Sequence, residues 1–115
     1  MKNIKICVIG LGYVGLPIAV EFAKNRIVIG FDINKKRISE LINKIDSTLE
    51  TSNQELSDAI YLSFTSNPDE IKDCGIYIVT VPTPIDEFKK PNLDHLKKAS
   101  EIIGKVLKKS DIVIY

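Results

Sequence analysis

The stretch VIGLGYVGLP, residues 8–17, decides the fold of this chain. It places three glycines and a proline directly after an apolar run that ends at Ile9. From Tyr13 to Lys24 the apolar residues recur at helical spacing, so the stretch is predicted to join a buried strand to a helix. A glycine-rich turn of this kind serves either a tight change of direction or a close approach of the backbone to a ligand.

The rest of the chain alternates strands with helical segments. The predicted strands are Ile4–Ile9, Ile27–Phe31, Leu62–Thr65, Ile76–Val81 and Asp111–Tyr115. Such alternation predicts right-handed crossovers and a parallel sheet covered by helices on both faces. We therefore predict one α/β domain over residues 1–115, a Rossmann-like doubly wound sheet of about five strands in the order 3-2-1-4-5.

Sequence signals also place the remaining helices. Asn34 is predicted to cap a helix that runs to about Asn43 and turns Ile38, Leu41 and Ile42 inward. Ser52 with Glu55 is a capping-box pattern for a short helix that ends near Ile60. Pro68 favours a brief helix, and a longer one is predicted to begin near Leu93 with its inward face at Leu93, Leu96, Ala99, Ile103 and Val106.

The composition excludes several classes of function. The 115 residues are 44% hydrophobic and 27% charged with a net charge of +1, as in an ordinary globular domain. No basic stripe with interleaved aromatic residues is present, so we expect no nucleic-acid partner. No apolar stretch approaches the roughly 18 residues of a membrane span, and the N-terminus lacks a signal-peptide pattern. We expect a cytoplasmic protein that does not bind a membrane.

The side chains that most often carry chemistry have plainer explanations here. Cys7 and Cys74 lie far apart without metal-ligand spacing, and we expect reduced thiols in the core instead of a disulfide or a zinc site. His95, in the first turn of a predicted helix, is expected to be a surface residue. A helical lysine cluster reads as a solvated face: Lys97, Lys98, Lys105, Lys108 and Lys109. We predict no metal site.

The glycine turn matches the dinucleotide fingerprint G-x-G-x-x-G in its required context between a strand and a helix. Gly10 permits the tight turn, Gly12 leaves room for a pyrophosphate, and Gly15 lets the helix pack on the sheet. The helix N-terminus then offers unpaired N–H groups and the positive end of its dipole to the phosphates. Cofactor binding is assigned here to Gly10, Leu11, Gly12, Tyr13, Val14 and Gly15.

Three residues outside the turn complete the predicted site. Asp32 follows the second strand about 20 residues after the glycines, where a carboxylate accepts hydrogen bonds from the adenosine ribose. Its charge disfavours a 2′-phosphate, so NAD is predicted over NADP, although Arg37 nearby leaves NADP open. Thr83 follows the fourth strand at the edge of the switch-point crevice, where it either contacts the ligand or belongs to an ordinary turn.

Taken together, GLGYVGLP (residues 10–17), GFDINKKRI (30–38) and VTVPTP (79–84) resemble the NAD-binding domain of the UDP-glucose/GDP-mannose dehydrogenase family. The similarity covers essentially the whole chain. Within the family, residues 81–100 and 111–115 are most similar to bacterial UDP-N-acetylglucosamine and UDP-N-acetylgalactosamine 6-dehydrogenases of surface polysaccharide synthesis.

The resemblance implies a two-step oxidation of carbon 6 of a nucleotide sugar with two NAD. It also implies that the glycine turn, Asp32, Arg37 and Thr83 contact NAD, with Arg37 near the adenosine ribose. The family's catalytic cysteine, lysine and glutamate have no counterpart here, so no catalytic residue is assigned. The chain ends at Tyr115 within an apolar strand, which predicts a piece of a longer dehydrogenase, inactive by itself. We expect the full-length parent, a homo-oligomer, to bind the nucleotide sugar.

Two alternatives stay open from the sequence. One is a stand-alone regulatory module that binds NAD or another adenine nucleotide. The other is the cofactor domain of a different NAD enzyme with a similar glycine turn, such as a 3-hydroxyacid-type dehydrogenase.

Overall fold

The structure is a computed structural model that describes residues 4–49, 51–82, 85 and 88–115. Within these residues one parallel sheet is formed by β1 (Ile6–Ile9), β2 (Val28–Phe31), β3 (Leu62–Thr65), β4 (Ile76–Val79) and β5 (Ile112–Ile114). The spatial order is β3-β2-β1-β4-β5, so the predicted topology is confirmed. The order reverses between β1 and β4, where ligands bind in such sheets.

The helices are α1 (Gly15–Phe22), α2 (Lys35–Ile42), α3 (Asn53–Asp58) and α4 (Asp94–Val106), with a 3₁₀ helix at Pro68–Ile71. The predicted caps are confirmed. The Asn34 side chain accepts a hydrogen bond from the Arg37 N–H, and Ser52 with Glu55 forms a reciprocal capping box. These side chains satisfy backbone N–H groups that a helix start leaves without partners.

Each face of the sheet has its own core, which is why the central strands β1 and β4 are continuous apolar runs. On one face Ile6 and Val8 pack with the buried residues of α1, α2 and α3. On the other, Cys7 and Ile9 pack with the buried residues of α4 and the 3₁₀ helix. The sheet is therefore doubly wound, as predicted.

Two expectations about buried faces are wrong. Ile42 is 57% exposed, and the inward face of α2 is instead Arg37, Ile38 and Leu41. Arg37 can occupy a buried position because its guanidinium contacts the Leu11 carbonyl and the Asp46 carboxylate there. Leu93 is also exposed, since it precedes the first turn of α4 instead of lying on its packed face.

Several predicted elements are shorter in the structure. β1 begins at Ile6 rather than Ile4, and β4 ends at Val79 rather than Val81. The first helix was expected from Tyr13 but begins at Gly15, because Tyr13 and Val14 still belong to the turn. This difference matters for function, since it leaves two N–H groups at the mouth of the turn.

Candidate dinucleotide-binding site

The glycine turn lies at the carboxyl ends of β1 and β4. Gly10 has φ +95°, and a Cβ there would lie 3.0 Å from the backbone of Thr80 and of Val81. Gly10 is thus required both by its backbone conformation and by the close approach of the neighbouring strand. The turn is fixed against the end of β4.

Gly15 brings the start of α1 against the same place. A Cβ on Gly15 would lie 1.8 Å from the Gly10 carbonyl oxygen and 2.3 Å from Thr80 Oγ1. No side chain fits into that space. The role predicted for Gly15, close packing of the helix on the sheet, therefore has a direct geometric cause.

Gly12 differs from both of these glycines. It is exposed, its φ is not positive, and a Cβ there would meet no atom within 4 Å. Neither packing nor backbone strain requires glycine at this position. Its free side faces an open cleft of about 490 Å³ lined by Gly12, Tyr13, Val14, Val79, Thr80, Val81 and Pro82.

The start of α1 faces this cleft without a cap. Val14, at the N-cap position, makes no side-chain capping bond, and the first turn carries no acidic residue. The first N–H of this region with an acceptor among the described residues is that of Leu16, which donates to the Gly12 carbonyl at 3.1 Å. The N–H groups of Tyr13 and Val14 are therefore available to an anion, together with the positive end of the helix dipole.

Asp32 lies beside the turn at the end of β2. Its Oδ2 accepts a hydrogen bond from the Leu11 N–H at 3.0 Å, and its Oδ1 accepts one from the Asn34 N–H at 2.9 Å. The side chain is half-buried, and each carboxylate oxygen keeps a further lone pair for a ribose hydroxyl. Asp32 can thus hold the turn and receive a ligand at the same time.

A small cavity of about 70 Å³ opens next to Asp32, between the ends of β1 and β2 and the start of α4. Ile33 and Val81 contribute apolar walls, and His95 and Lys98 stand at its α4 side. His95 is exposed, as expected from the sequence. The cavity thus places apolar side chains directly beside the Asp32 carboxylate.

Arg37 is placed behind the turn rather than in the cleft. The side chain is 8% exposed, its Nε donates to the Leu11 carbonyl at 2.7 Å, and its Nη1 lies 2.9 Å from Asp46 Oδ1. Direct contact between Arg37 and a cofactor stays a prediction. The geometry shows that Asp32 accepts a hydrogen bond from the N–H of Leu11 and that Arg37 donates one to the carbonyl of the same residue.

Thr83 lies outside the described residues, so its predicted contact stays a prediction. Sequence reasoning missed Thr80, whose Oγ1 donates to the Gly10 carbonyl at 2.6 Å and lies 3.1 Å from the Ile9 carbonyl. Thr80 therefore ties the end of β4 to the glycine turn. The available signal was a threonine in an otherwise apolar run, directly before the Val81-Pro82 break.

The two cysteines lie away from the cleft. Both are fully buried and free, and they belong to the core between the sheet and α4. The hydrogen bond with Cys74 and burial together raise the pKa of the Cys7 thiol. Neither position is suited to a nucleophile that must reach a substrate.

The described residues contain neither a metal-ligand cluster nor a membrane-spanning helix. In the described part of the chain, no three His, Cys, Asp or Glu side chains converge as metal ligands do. Across the same residues, no helix has the length and apolar character needed to cross a bilayer.

Comparison with known proteins identifies a family whose model matches nearly the whole chain. Residues 4–115 match the model of the UDP-glucose/GDP-mannose dehydrogenase family, NAD binding domain. The chain is 64% identical over 115 residues to UDP-N-acetyl-D-glucosamine 6-dehydrogenase of Pseudomonas aeruginosa, and 60% identical to the enzyme of that name from Salmonella typhi. In both cases all of this chain is covered, but only 27% of the relative.

Among solved structures, the UDP-D-ManNAc dehydrogenase of Pyrococcus horikoshii superposes with a TM-score of 0.90 at 28% identity. The match covers 96% of this chain and 27% of that one. The family model and the solved structure thus match nearly the same residues of this chain, and the glycine turn lies among them. The chain belongs to the UDP-glucose/GDP-mannose dehydrogenase family and corresponds to its NAD-binding domain.

Proposed function

We propose that this chain binds NAD across the carboxyl ends of β1, β2 and β4, as the cofactor domain of a nucleotide-sugar 6-dehydrogenase. The observation that carries the proposal is Gly12. It is a glycine without any internal structural need, and it faces an open cleft beside two unpaired N–H groups and an uncapped helix. A cofactor pyrophosphate explains why no side chain stands there.

The described residues fit the parts of NAD in order. The N–H groups of Tyr13 and Val14 hold the pyrophosphate, and the carboxylate of Asp32 accepts hydrogen bonds from the adenosine ribose. The adenine lies in the cavity walled by Ile33 and Val81. When bound, NAD supplies the acceptor for a hydride, and the chain's own residues bind and orient it.

The arrangement favours NAD over NADP. A 2′-phosphate would bring negative charge against the Asp32 carboxylate. Arg37, the cation that the sequence left available for a 2′-phosphate, is buried and already paired with Asp46 and the Leu11 carbonyl. Lys98 at the cavity edge is exposed to solvent, where its attraction for a phosphate is screened.

For the whole protein we propose oxidation of a UDP-N-acetylhexosamine at carbon 6 to the uronate, by two NAD-dependent hydride transfers. The support is the name borne by the two relatives at 64% and 60% identity. Because this chain spans 27% of their length, the catalytic groups and the sugar pocket are assigned to the remainder. We place the protein in the cytoplasm and expect it to be a homo-oligomer.

Two measurements test the proposal. Calorimetric titration of the chain should show binding of NAD and at least tenfold weaker binding of NADP. Equal affinities would contradict the role of Asp32, and no binding of NAD would contradict the function of the domain. The chain alone should form no NADH from UDP-N-acetylglucosamine, UDP-N-acetylgalactosamine or UDP-glucose, whereas the full-length protein should do so with an N-acetylhexosamine substrate.

A further inference from the structure

The backbone of Leu11 is held in place by side chains from outside the glycine turn. Leu11 stands between Gly10 and Gly12, and glycine leaves the backbone on either side free to adopt many conformations. Its buried side chain packs so closely against β2 that a Cβ on Gly30 would lie 3.0 Å from it. Besides this contact, two hydrogen bonds hold the Leu11 backbone. Its N–H donates to Asp32, and its carbonyl accepts from Arg37 Nε.

The bond from Arg37 depends on a counter-charge, because its guanidinium is buried. Asp46 Oδ1 lies 2.9 Å from Nη1, and the Asp46 side chain is fully buried. The other nearby carboxylate, Glu40, is 3.8 Å away and a quarter exposed. Nη1 and Nη2 are both buried and make no hydrogen bond to any described residue, so the contact of Nη1 with Asp46 is an ion pair. Without Asp46, the cation would gain by turning outward to water and Glu40.

Asp46 is itself held in a fixed orientation. It accepts hydrogen bonds from the Thr48 N–H at 3.0 Å, the Thr48 hydroxyl at 2.6 Å and the Thr51 N–H at 2.9 Å. Burial alone would raise the pKa of Asp46, but the hydrogen bonds from Thr48 and Thr51 and the ion pair with Arg37 outweigh it and lower the pKa. The carboxylate is therefore charged at neutral pH and aimed at Arg37.

We infer that Asp46, a residue outside the cofactor cleft, is a positioning residue for the dinucleotide: it holds Arg37 on the Leu11 carbonyl and so fixes the glycine turn in its binding conformation. The inference rests on the proposed NAD function. It assigns a binding role to the segment between α2 and α3, which lines no part of the cleft. A turn fixed in advance binds more tightly, because less conformational freedom is lost when the ligand is bound.

The test is a double-mutant cycle on NAD affinity. Asp46→Asn keeps the shape and an acceptor oxygen but removes the charge. Arg37→Met removes the group through which Asp46 is inferred to act. Glu40→Gln is the matched control, since it removes the more distant carboxylate of the same cation. The stability of each variant is first measured by urea unfolding. NAD affinity is then compared under conditions in which all the variants are fully folded.

Asp46→Asn should weaken NAD binding about tenfold in the wild-type background and have no further effect in the Arg37→Met background. Glu40→Gln should leave the affinity within twofold. The amide NMR signals of Leu11 and Gly12 should shift in ligand-free Asp46→Asn, whereas a purely stabilising role would leave them in place. An unchanged NAD affinity, or an equal loss in both backgrounds, overturns the inference.

If Asp46→Asn does not fold, Thr48→Val serves instead, since it removes only the hydroxyl bond to Asp46. It should weaken NAD binding two- to threefold, again only when Arg37 is present, and an unchanged affinity overturns the inference. Failure of the wild-type chain to bind NAD would instead contradict the proposed function. The two failures are thus distinguishable.

Discussion

Replacing Gly12 with valine should remove cofactor binding while leaving the fold intact. A Cβ at Gly12 meets no atom within 4 Å, and its φ is not in the region reserved for glycine. The substitution therefore neither overpacks the core nor strains the backbone. We expect the free energy of unfolding to change by less than about 1 kcal/mol, as for other exposed sites.

The effect on binding should be far larger. The valine side chain would extend into the cleft that we assign to the pyrophosphate, beside the N–H groups of Tyr13 and Val14. A hydrogen bond to a charged group contributes about 1.5–3 kcal/mol, so losing two of them costs about 3 kcal/mol or more. This corresponds to a dissociation constant for NAD that rises by at least about a hundredfold.

Calorimetric titration with NAD measures the loss, and urea unfolding measures the stability. The matched control is Gly104→Val on α4, where a Cβ also meets no atom within 4 Å but the residue does not line the cleft that contains Gly12. The control should bind NAD as the wild type does. If Gly12→Val binds NAD with unchanged affinity, the phosphate does not approach this glycine and the reasoning is refuted.

Four further outcomes are expected. Asp32→Ala should weaken NAD binding by about 1–3 kcal/mol in the same titration, because charge-assisted hydrogen bonds are lost; an unchanged affinity would remove the ribose assignment. Gly15→Ala should destabilise the fold by about 3 kcal/mol or more in urea, since its Cβ would lie 1.8 Å from a backbone oxygen, and full stability would contradict that packing. The thiols of Cys7 and Cys74 should react with a disulfide reagent only after denaturation, because both are fully buried, and fast reaction of the native chain would disprove this. The pKa of Asp46 is lowered from 3.8 on folding, so its contribution to stability is complete above that value and is lost as the pH falls through the native pKa; urea unfolding of wild type and Asp46→Asn against pH should show the difference shrinking in acid, and a constant difference would contradict it.

The sequence was sufficient to predict the sheet order and the helix caps. Strand order followed from the alternation of short apolar runs with helical periods, because right-handed crossovers leave few arrangements of a parallel sheet. The caps at Asn34 and Ser52 depend on local side-chain to backbone bonds within three residues, which a linear reading can find. The roles of Gly10 in the tight turn and of Gly15 in helix packing could also be predicted, since each follows from its place in the motif.

What the sequence did not reveal depends on contacts between distant segments. A charged residue on the inward face of α2 contradicts the usual helical pattern, and only the fold brings the Leu11 carbonyl and Asp46 to Arg37. The position of Thr80 before the Val81-Pro82 break could draw attention to it, but its partner, the Gly10 carbonyl, lies 70 residues away and no local pattern names it. Such bonds can be identified only once the fold has brought the two distant segments together.

The most direct test of the central claim is an amide NMR titration of the isotope-labelled chain with NAD. The account predicts saturable shifts at Leu11–Gly15 and at Asp32 and Ile33, with the signals of α3 and β5 unmoved. Saturable shifts centred on another surface, such as the groove that Pro17, Lys24 and Glu55 line between α1 and α3, would contradict it, as would a spectrum that NAD leaves unchanged.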